Sequence, residues 1–379
     1  MITRDYYTKT LSEYFEIFPI VSLIGPRQCG KTTIALEFAK SHYSSFHHFD
    51  LEDPDDYTIL QSAKEALKNL EGLILIDEIQ RFPALFSYLR VYADSNPSAK
   101  LLILGSSSPD LVRYGSESLA GRVGFIEMSP LSAPEIPIDD RGFYLGGFPR
   151  AYLASSTKAS QIWLKQYIST FLEKDVAAMG FNLPAEAMRK VWMMAAHYHG
   201  NIVNFSELGR SLNVSDSTIP KYLNILESAF MLRQLPAWHE NLKKRQIKNP
   251  KIYIRDTGIL HSLLGISEDQ MRTHPKVGAA FEGYALETII RYHHFEHCYF
   301  WRTQDGAELD LLVMHESKRL GFEFKYGEVS KITSSMKNAI VDLKLDKLFV
   351  ITNGDKAYSL SDQIEILPLK RYISLPLTL

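Results

Sequence analysis

The chain has 379 residues, 45% of them hydrophobic and 23% charged, values close to the globular average that exclude a disordered, collagen-like or disulfide-scaffold protein. At roughly 100 to 200 residues per domain, this length holds two or three domains. The 42 Lys and Arg against 44 Asp and Glu leave a net charge of -2, so any nucleic-acid site has to be a local patch and not a whole-chain polycation.

Met1 to Tyr6 opens with charged residues and has no apolar signal core. No apolar run reaches about 18 residues. Cys29 and Cys298 alone cannot build a disulfide framework and fit a reducing compartment. The expectation is a soluble, cytoplasmic protein with no membrane partner.

In chain order, short apolar runs at 20–24, 46–49, 73–76, 101–104 and 123–126 alternate with helical stretches, the pattern of a parallel sheet covered by crossover helices in an α/β domain. From 130 to 155 a breaker-rich stretch with Pro130, Pro134, Pro137 and Pro149 reads as a linker. Helices are expected at 161–178, 186–198 and 220–232. The last part reads as helix 281–293, strands 298–302, 308–314 and 320–324, helix 335–343 and strand 347–352. The chain thus divides into 1–150, 151–245 and 246–379.

Gly25-Pro26-Arg27-Gln28-Cys29-Gly30-Lys31-Thr32-Thr33 contains the full G-x-x-x-x-G-K-[ST] motif between an apolar strand and a helical run. Such a loop curls backbone N–H groups around phosphate oxygens, its lysine reaches the β and γ phosphates, and the Thr32 hydroxyl ligates Mg²⁺. The strand 73–76 ends in Asp77-Glu78, placing one carboxylate to hold Mg²⁺ and the next to polarise the attacking water. Ser106 and Ser107 follow the strand 101–104, where a hydroxyl could meet the γ-phosphate or simply cap the loop. Arg122 is the candidate arginine finger, with Arg113 as runner-up and a surface ion pair as the competing reading.

These residues, with Leu119-Ala120-Gly121-Arg122 and Gly146-Gly147-Phe148-Pro149, resemble the prokaryotic AAA+ family of P-loop ATPases fused to a domain of unknown function. The resemblance covers nearly the whole chain. It implies an AAA+ core that takes ATP and Mg²⁺, a winged-helix-like middle and a C-terminal α/β domain similar to PD-(D/E)XK nucleases. Two departures stand out: Cys29 replaces a smaller or branched loop residue, and the span from Arg122 to Gly146 leaves little room for a helical lid.

The middle stretch 205–227 reads as helix, tight turn, helix, with Ser217, Thr218 and Lys221 facing outward at the start of the second helix, where DNA contacts are usually made. Residues 241–255 hold six basic side chains, Lys243, Lys244, Arg245, Lys248, Lys251 and Arg255, and no acid, a patch able to track a phosphate backbone. In the C-terminal part, strand alternation and a hairpin bring Asp310, Glu323 and Lys325 together. Two carboxylates and an ammonium of this kind can hold Mg²⁺ and activate water. By resemblance to the nuclease core, Glu282 completes the metal site. Two functional classes remain open: an ATP-driven enzyme acting on DNA, or an ATP-dependent switch whose C-terminal fold docks a protein. Either can form homo-oligomers.

Overall fold

Along the central apolar runs 20–24, 73–76 and 101–104 successive side chains enter two cores in turn, so these strands are buried on both faces. Strands β1 (Ile20–Gly25), β2 (Phe46–Asp50), β3 (Leu73–Asp77), β4 (Lys100–Ser106) and β5 (Val123–Glu127) pair in parallel in the order β2-β3-β4-β1-β5. On one face Ile74, Ile76, Leu101 and Ile103 meet Leu85, Phe86 and Leu89 of the helix Leu85–Ser95. On the other, Val21, Leu23, Leu75 and Leu102 meet Ile34 and Phe38 of the helix Lys31–His42 and Leu11 and Phe15 of the helix Asp5–Ile17. Each such side chain contributes about 1.5 to 3 kcal/mol on burial, which holds helices on both sides of the sheet.

The computed structural model describes residues 2–106, 119–176, 184–239, 249–329 and 331–375. The chain divides into two compact units, the first holding Met1–Pro130 and the second taking most of the remainder from Leu131. The segments read as middle and C-terminal parts both lie in this second unit. Residues 130–155, read as a linker, form the helices Asp140–Leu145 and Pro149–Tyr152. Phe143, Leu145 and Phe148 are buried there, and the Gly147 N–H donates to Asp256 Oδ2 at 2.8 Å. The glycines that look like breakers in sequence serve a close approach of two backbones: a Cβ on Gly147 would lie 1.9 Å from the Leu131 carbonyl oxygen.

Within the second unit the order is helix Ala185–His197, β6 (Asn201–Ile202), helices Phe205–Leu212 and Ile219–Ser228, β7 (Leu232–Leu235) and β8 (Lys251–Ile254). The three strands form an antiparallel sheet, β6-β8-β7. The expected helix 220–232 stops at Ser228 because Leu232–Leu235 pairs with β8. The expected helix 161–178 spans Thr157–Thr170 and continues as a π-helical turn, Phe171–Asp175.

A six-stranded sheet follows, of β9 (Cys298–Arg302), β10 (Glu308–His315), β11 (Lys318–Lys325), β12 (Lys347–Thr352), β13 (Tyr358–Ser359) and β14 (Ile364–Pro368), in the order β13-β14-β12-β11-β10-β9. It carries the helices Val277–His293 and Ser334–Leu343. The β10–β11 hairpin turns on Glu316 and Ser317, both at positive φ, a two-residue turn whose twist matches its strands. Among the described residues no helix is long and apolar enough to cross a membrane.

Candidate nucleotide and carboxylate sites

In a parallel sheet the C-terminal ends of all strands share one edge, and ligands settle in the crevice there. That edge gathers the loop after β1, Asp77-Glu78 after β3 and the end of β4, where Ser106 pairs in register with Gly25. Ser107 and Arg113 lie outside the described residues. Gly25 is required by proximity, since a Cβ would lie 2.1 Å from the Met128 carbonyl oxygen. Gly30 opens the helix Lys31–His42 at φ 104°, a conformation side chains resist.

Lys31 is buried inside the loop, its Nζ donating to the carbonyls of Gly25 and Pro26 at 2.9 Å each. The Thr32 hydroxyl donates to Asp77 Oδ2 at 2.6 Å. A hydroxyl and a carboxylate this close are the hard oxygen donors Mg²⁺ takes beside nucleotide phosphates, so these residues fit the ion. Burial raises the Asp77 pKa, and the Thr32 hydrogen bond opposes the rise. Glu78 sits in the left-handed region at φ 51°, ψ 43°, a conformation costing of the order of 1 kcal/mol or more. It accepts a hydrogen bond from Gln80 Nε2 and lies 3.7 Å from Arg27 Nη2, which also pairs with Glu52 at 2.6 Å. Glu52 was not picked out from sequence, because it belongs to no motif and only folding brings it to the loop; Gln80 ends the run 75–80 that carries the family resemblance, without a role read for its side chain.

Cys29 and Arg122 lie where the motifs alone do not place them. The Cys29 thiol does not face the loop interior: it is fully buried in the core with Ile34, Phe38 and Met128, and only its backbone serves the loop. The Cys29 carbonyl accepts from the buried Arg4 guanidinium at 3.0 Å, which braces the loop from behind. Arg122 lies at the opposite edge of the sheet, since its carbonyl accepts from Ile20 N and Val123 pairs with Ile20 at the start of β1. Five residue steps at about 3.3 Å put it about 16 Å from the loop of its own chain. Its guanidinium holds Asp94 through Nε and Nη2, at 2.5 and 3.0 Å.

In the second unit Ser217 and Lys221 are exposed and Thr218 is partly so. Ser215 Oγ bonds both Ser217 Oγ and Thr218 Oγ1, at 2.9 and 2.7 Å. Lys243, Lys244, Arg245 and Lys248 lie outside the described residues. The other two basic residues of that stretch do not belong to a surface patch, because both are buried. Arg255 joins Arg233 and Arg291 around the buried Glu287. Burial alone would raise the Glu287 pKa, but the three guanidinium groups hold it well below the usual carboxylate range.

The hairpin does bring the expected acids together. β10 and β11 pair through Leu311 and Phe322, one position from Asp310 and Glu323. Asp310 Oδ2 accepts from Phe324 N at 3.1 Å, and Lys325 Nζ lies 3.0 Å from Glu323 Oε2. Glu282 joins them from the helix Val277–His293. Burial first, and the Asp310 charge next, raise the pKa of both Glu282 and Glu323. The focus of the acids is a residue absent from the expected set: Lys251 Nζ lies 2.6 Å from Glu308 Oε1, 3.1 Å from Glu282 Oε1 and 3.2 Å from Asp310 Oδ1. Among the described residues no group of three or more His, Cys, Asp or Glu stands so as to hold a metal ion. The C-terminal cluster as arranged does not fit the expected Mg²⁺, because the Lys251 ammonium fills the point on which Glu282, Glu308 and Asp310 converge, while Glu323 pairs with Lys325.

Residues 18–137 match the AAA domain family, and 140–270 and 277–372 match two domains of unknown function, DUF8612 and DUF4143. Uncharacterized protein Rv2008c of Mycobacterium tuberculosis and Uncharacterized protein Mb2031c of Mycobacterium bovis are each 44% identical over 360 residues, covering 94% of this chain and 81% of theirs. An uncharacterized protein of Haemophilus influenzae is 24% identical over 301 residues, 70% of this chain and 74% of its own. Among solved structures, a Walker-type ATPase of Pyrococcus abyssi superposes with a TM-score of 0.50 at 14% identity, covering 70% of this chain and 96% of that one, a likeness of fold alone.

Proposed function

The chain belongs to one family with the two mycobacterial proteins and carries an AAA domain over residues 18–137, and from that premise we propose that it binds and hydrolyses ATP at the edge formed by β1, β3 and β4. The observation that carries the reading is the Thr32–Asp77 hydrogen bond of 2.6 Å, with Lys31 inside the loop and Glu78 next along the chain. The loop N–H groups and the helix N-terminus hold the phosphates, and Lys31 places its charge on the β and γ oxygens. Thr32 and Asp77 would hold Mg²⁺, which when bound would supply positive charge to offset that of the phosphates. Glu78 orients the attacking water as general base, with Gln80 and Arg27 steering its carboxylate. Steady-state ATP hydrolysis tests this. Lys31→Ala loses nucleotide binding, and Glu78→Gln keeps binding while turning over about a hundredfold more slowly or worse; a Glu78→Gln protein as fast as wild type removes Glu78 from the mechanism.

ATP state in the first unit then governs how the second unit engages a partner. Nucleic acid is the partner favoured by the element order helix, strand, helix, helix, strand, strand over 185–254, that of a winged helix, with Ser217, Thr218 and Lys221 outward. For the C-terminal cluster, the position of Lys251 favours a docking role over metal-dependent cleavage.

A further inference from the structure

Lys251 and Tyr253 are alternate residues of β8 and so point to one side of that strand. Both reach into the carboxylates contributed by the helix Val277–His293 and by β10. Besides the three contacts of Lys251 Nζ, Tyr253 OH donates to Glu282 Oε1 at 2.6 Å. Phe324 N takes the remaining Asp310 oxygen, and Arg302 stands 3.8 Å from Glu308 Oε2. Lys251 is almost wholly buried. Three carboxylates facing one ammonium at this depth give it direct charge partners. A divalent cation needs carboxylate oxygens about 2.0 to 2.6 Å from one point. Here that point is the ammonium nitrogen, and a second cation beside it would meet both its volume and its charge.

We infer that Lys251 is the resident cation of the C-terminal cluster, holding Glu282, Glu308 and Asp310 as a metal would and closing the site to divalent ions. The inference deepens the docking reading of this cluster and does not depend on ATP hydrolysis, which the Lys31 and Glu78 variants test separately. It is tested by Mn²⁺ titration of the full chain, with free Mn²⁺ followed by electron paramagnetic resonance and stability by thermal unfolding. Wild type and Asp310→Asn are expected to bind the same number of Mn²⁺ ions. An additional Mn²⁺ on wild type that Asp310→Asn abolishes overturns the inference, as does Mn²⁺-dependent DNA cleavage abolished by the same change. Lys251→Met, which removes the charge but keeps much of the volume, is expected to gain one Mn²⁺ at least about tenfold tighter than any binding at this cluster in wild type. Its melting temperature then rises with Mn²⁺ while that of wild type does not follow. A folded Lys251→Met protein that gains no ion overturns the equivalence of ammonium and metal. Should that variant not fold, the comparison of wild type with Asp310→Asn decides alone.

Discussion

Burial decides what single residues of the second unit can do with a proton. His199 accepts a hydrogen bond from Ile254 N at 2.9 Å, and His261 Nδ1 lies 3.0 Å from the Tyr144 carbonyl. Burial lowers their pKa from 6.5 to about 3 and about 4. Both stay neutral in the folded chain while the unfolded chain takes up a proton below 6.5, so their contribution is present above that pH and is lost as pH falls. Each costs on the order of 1 kcal/mol per pH unit as pH falls below 6.5 toward its folded-state value. Glu282 and Glu323, raised by burial, act in the opposite sense, because the folded state keeps their protons as pH rises. Comparing one variant with wild type isolates a single group. His199→Asn, whose amide oxygen can accept from Ile254 N, is expected to flatten the acid side of a urea-midpoint profile against pH; an unchanged slope removes His199 as its source.

For elements, pairing and capping matter more than the periodicity of any one segment. Asp256 caps the helix Thr257–Leu264 by accepting from Ile259 N at 3.0 Å, and the same carboxylate receives Gly147 N. A segment that looks like a linker is thereby fastened to a helix invisible in the sequence pattern. β8 has only four residues and no distinguishing alternation, and it is identified by its partners β6 and β7. Burial removes Lys251 and Arg255 from the basic surface, while Lys221 is exposed. If the helix Ile219–Ser228 meets a phosphate backbone, Lys221→Ala should lower the slope of log affinity against log salt by about one unit, and Ala at Lys243, Lys244, Arg245 and Lys248 by about three to four. Fluorescence anisotropy with duplex DNA at several salt concentrations measures both; slopes equal to wild type discard the surface and leave the protein-docking switch.

On the scale of the whole molecule, parallel strands send the phosphate loop and Arg122 to opposite edges of one sheet. With its backbone about 16 Å away and its guanidinium held by Asp94, Arg122 does not reach a phosphate on its own loop, so a catalytic Arg122 has to serve the nucleotide of a second copy. The Asp94 pair offers little resistance, being exposed and so screened by solvent. Mixing Arg122→Ala with Lys31→Ala protein should then recover ATPase activity, because some interfaces pair an intact loop with an intact arginine. If mixed oligomers form and activity never exceeds the sum of the two variants, Arg122 is a surface ion pair and nothing more.

The phosphate loop, the acids ending β3 and the hairpin carrying Asp310, Glu323 and Lys325 were legible in the sequence because each is a local pattern: a motif, a strand end, an alternation across a short turn. The β1, β3 and β4 runs were legible for the same reason, each being apolar enough to declare itself buried. The direction of the Cys29 thiol, the edge on which Arg122 emerges and the ammonium at the centre of the C-terminal acids were not. Those depend on which distant segments pair, and Lys251 lies 31 residues from Glu282 and 59 from Asp310. A lysine in a run of basic residues looks like surface until a strand register buries it. Charge is then set by neighbours that the chain brings together only on folding, and for that reason the tertiary structure, and not the motif, decided what the carboxylates hold.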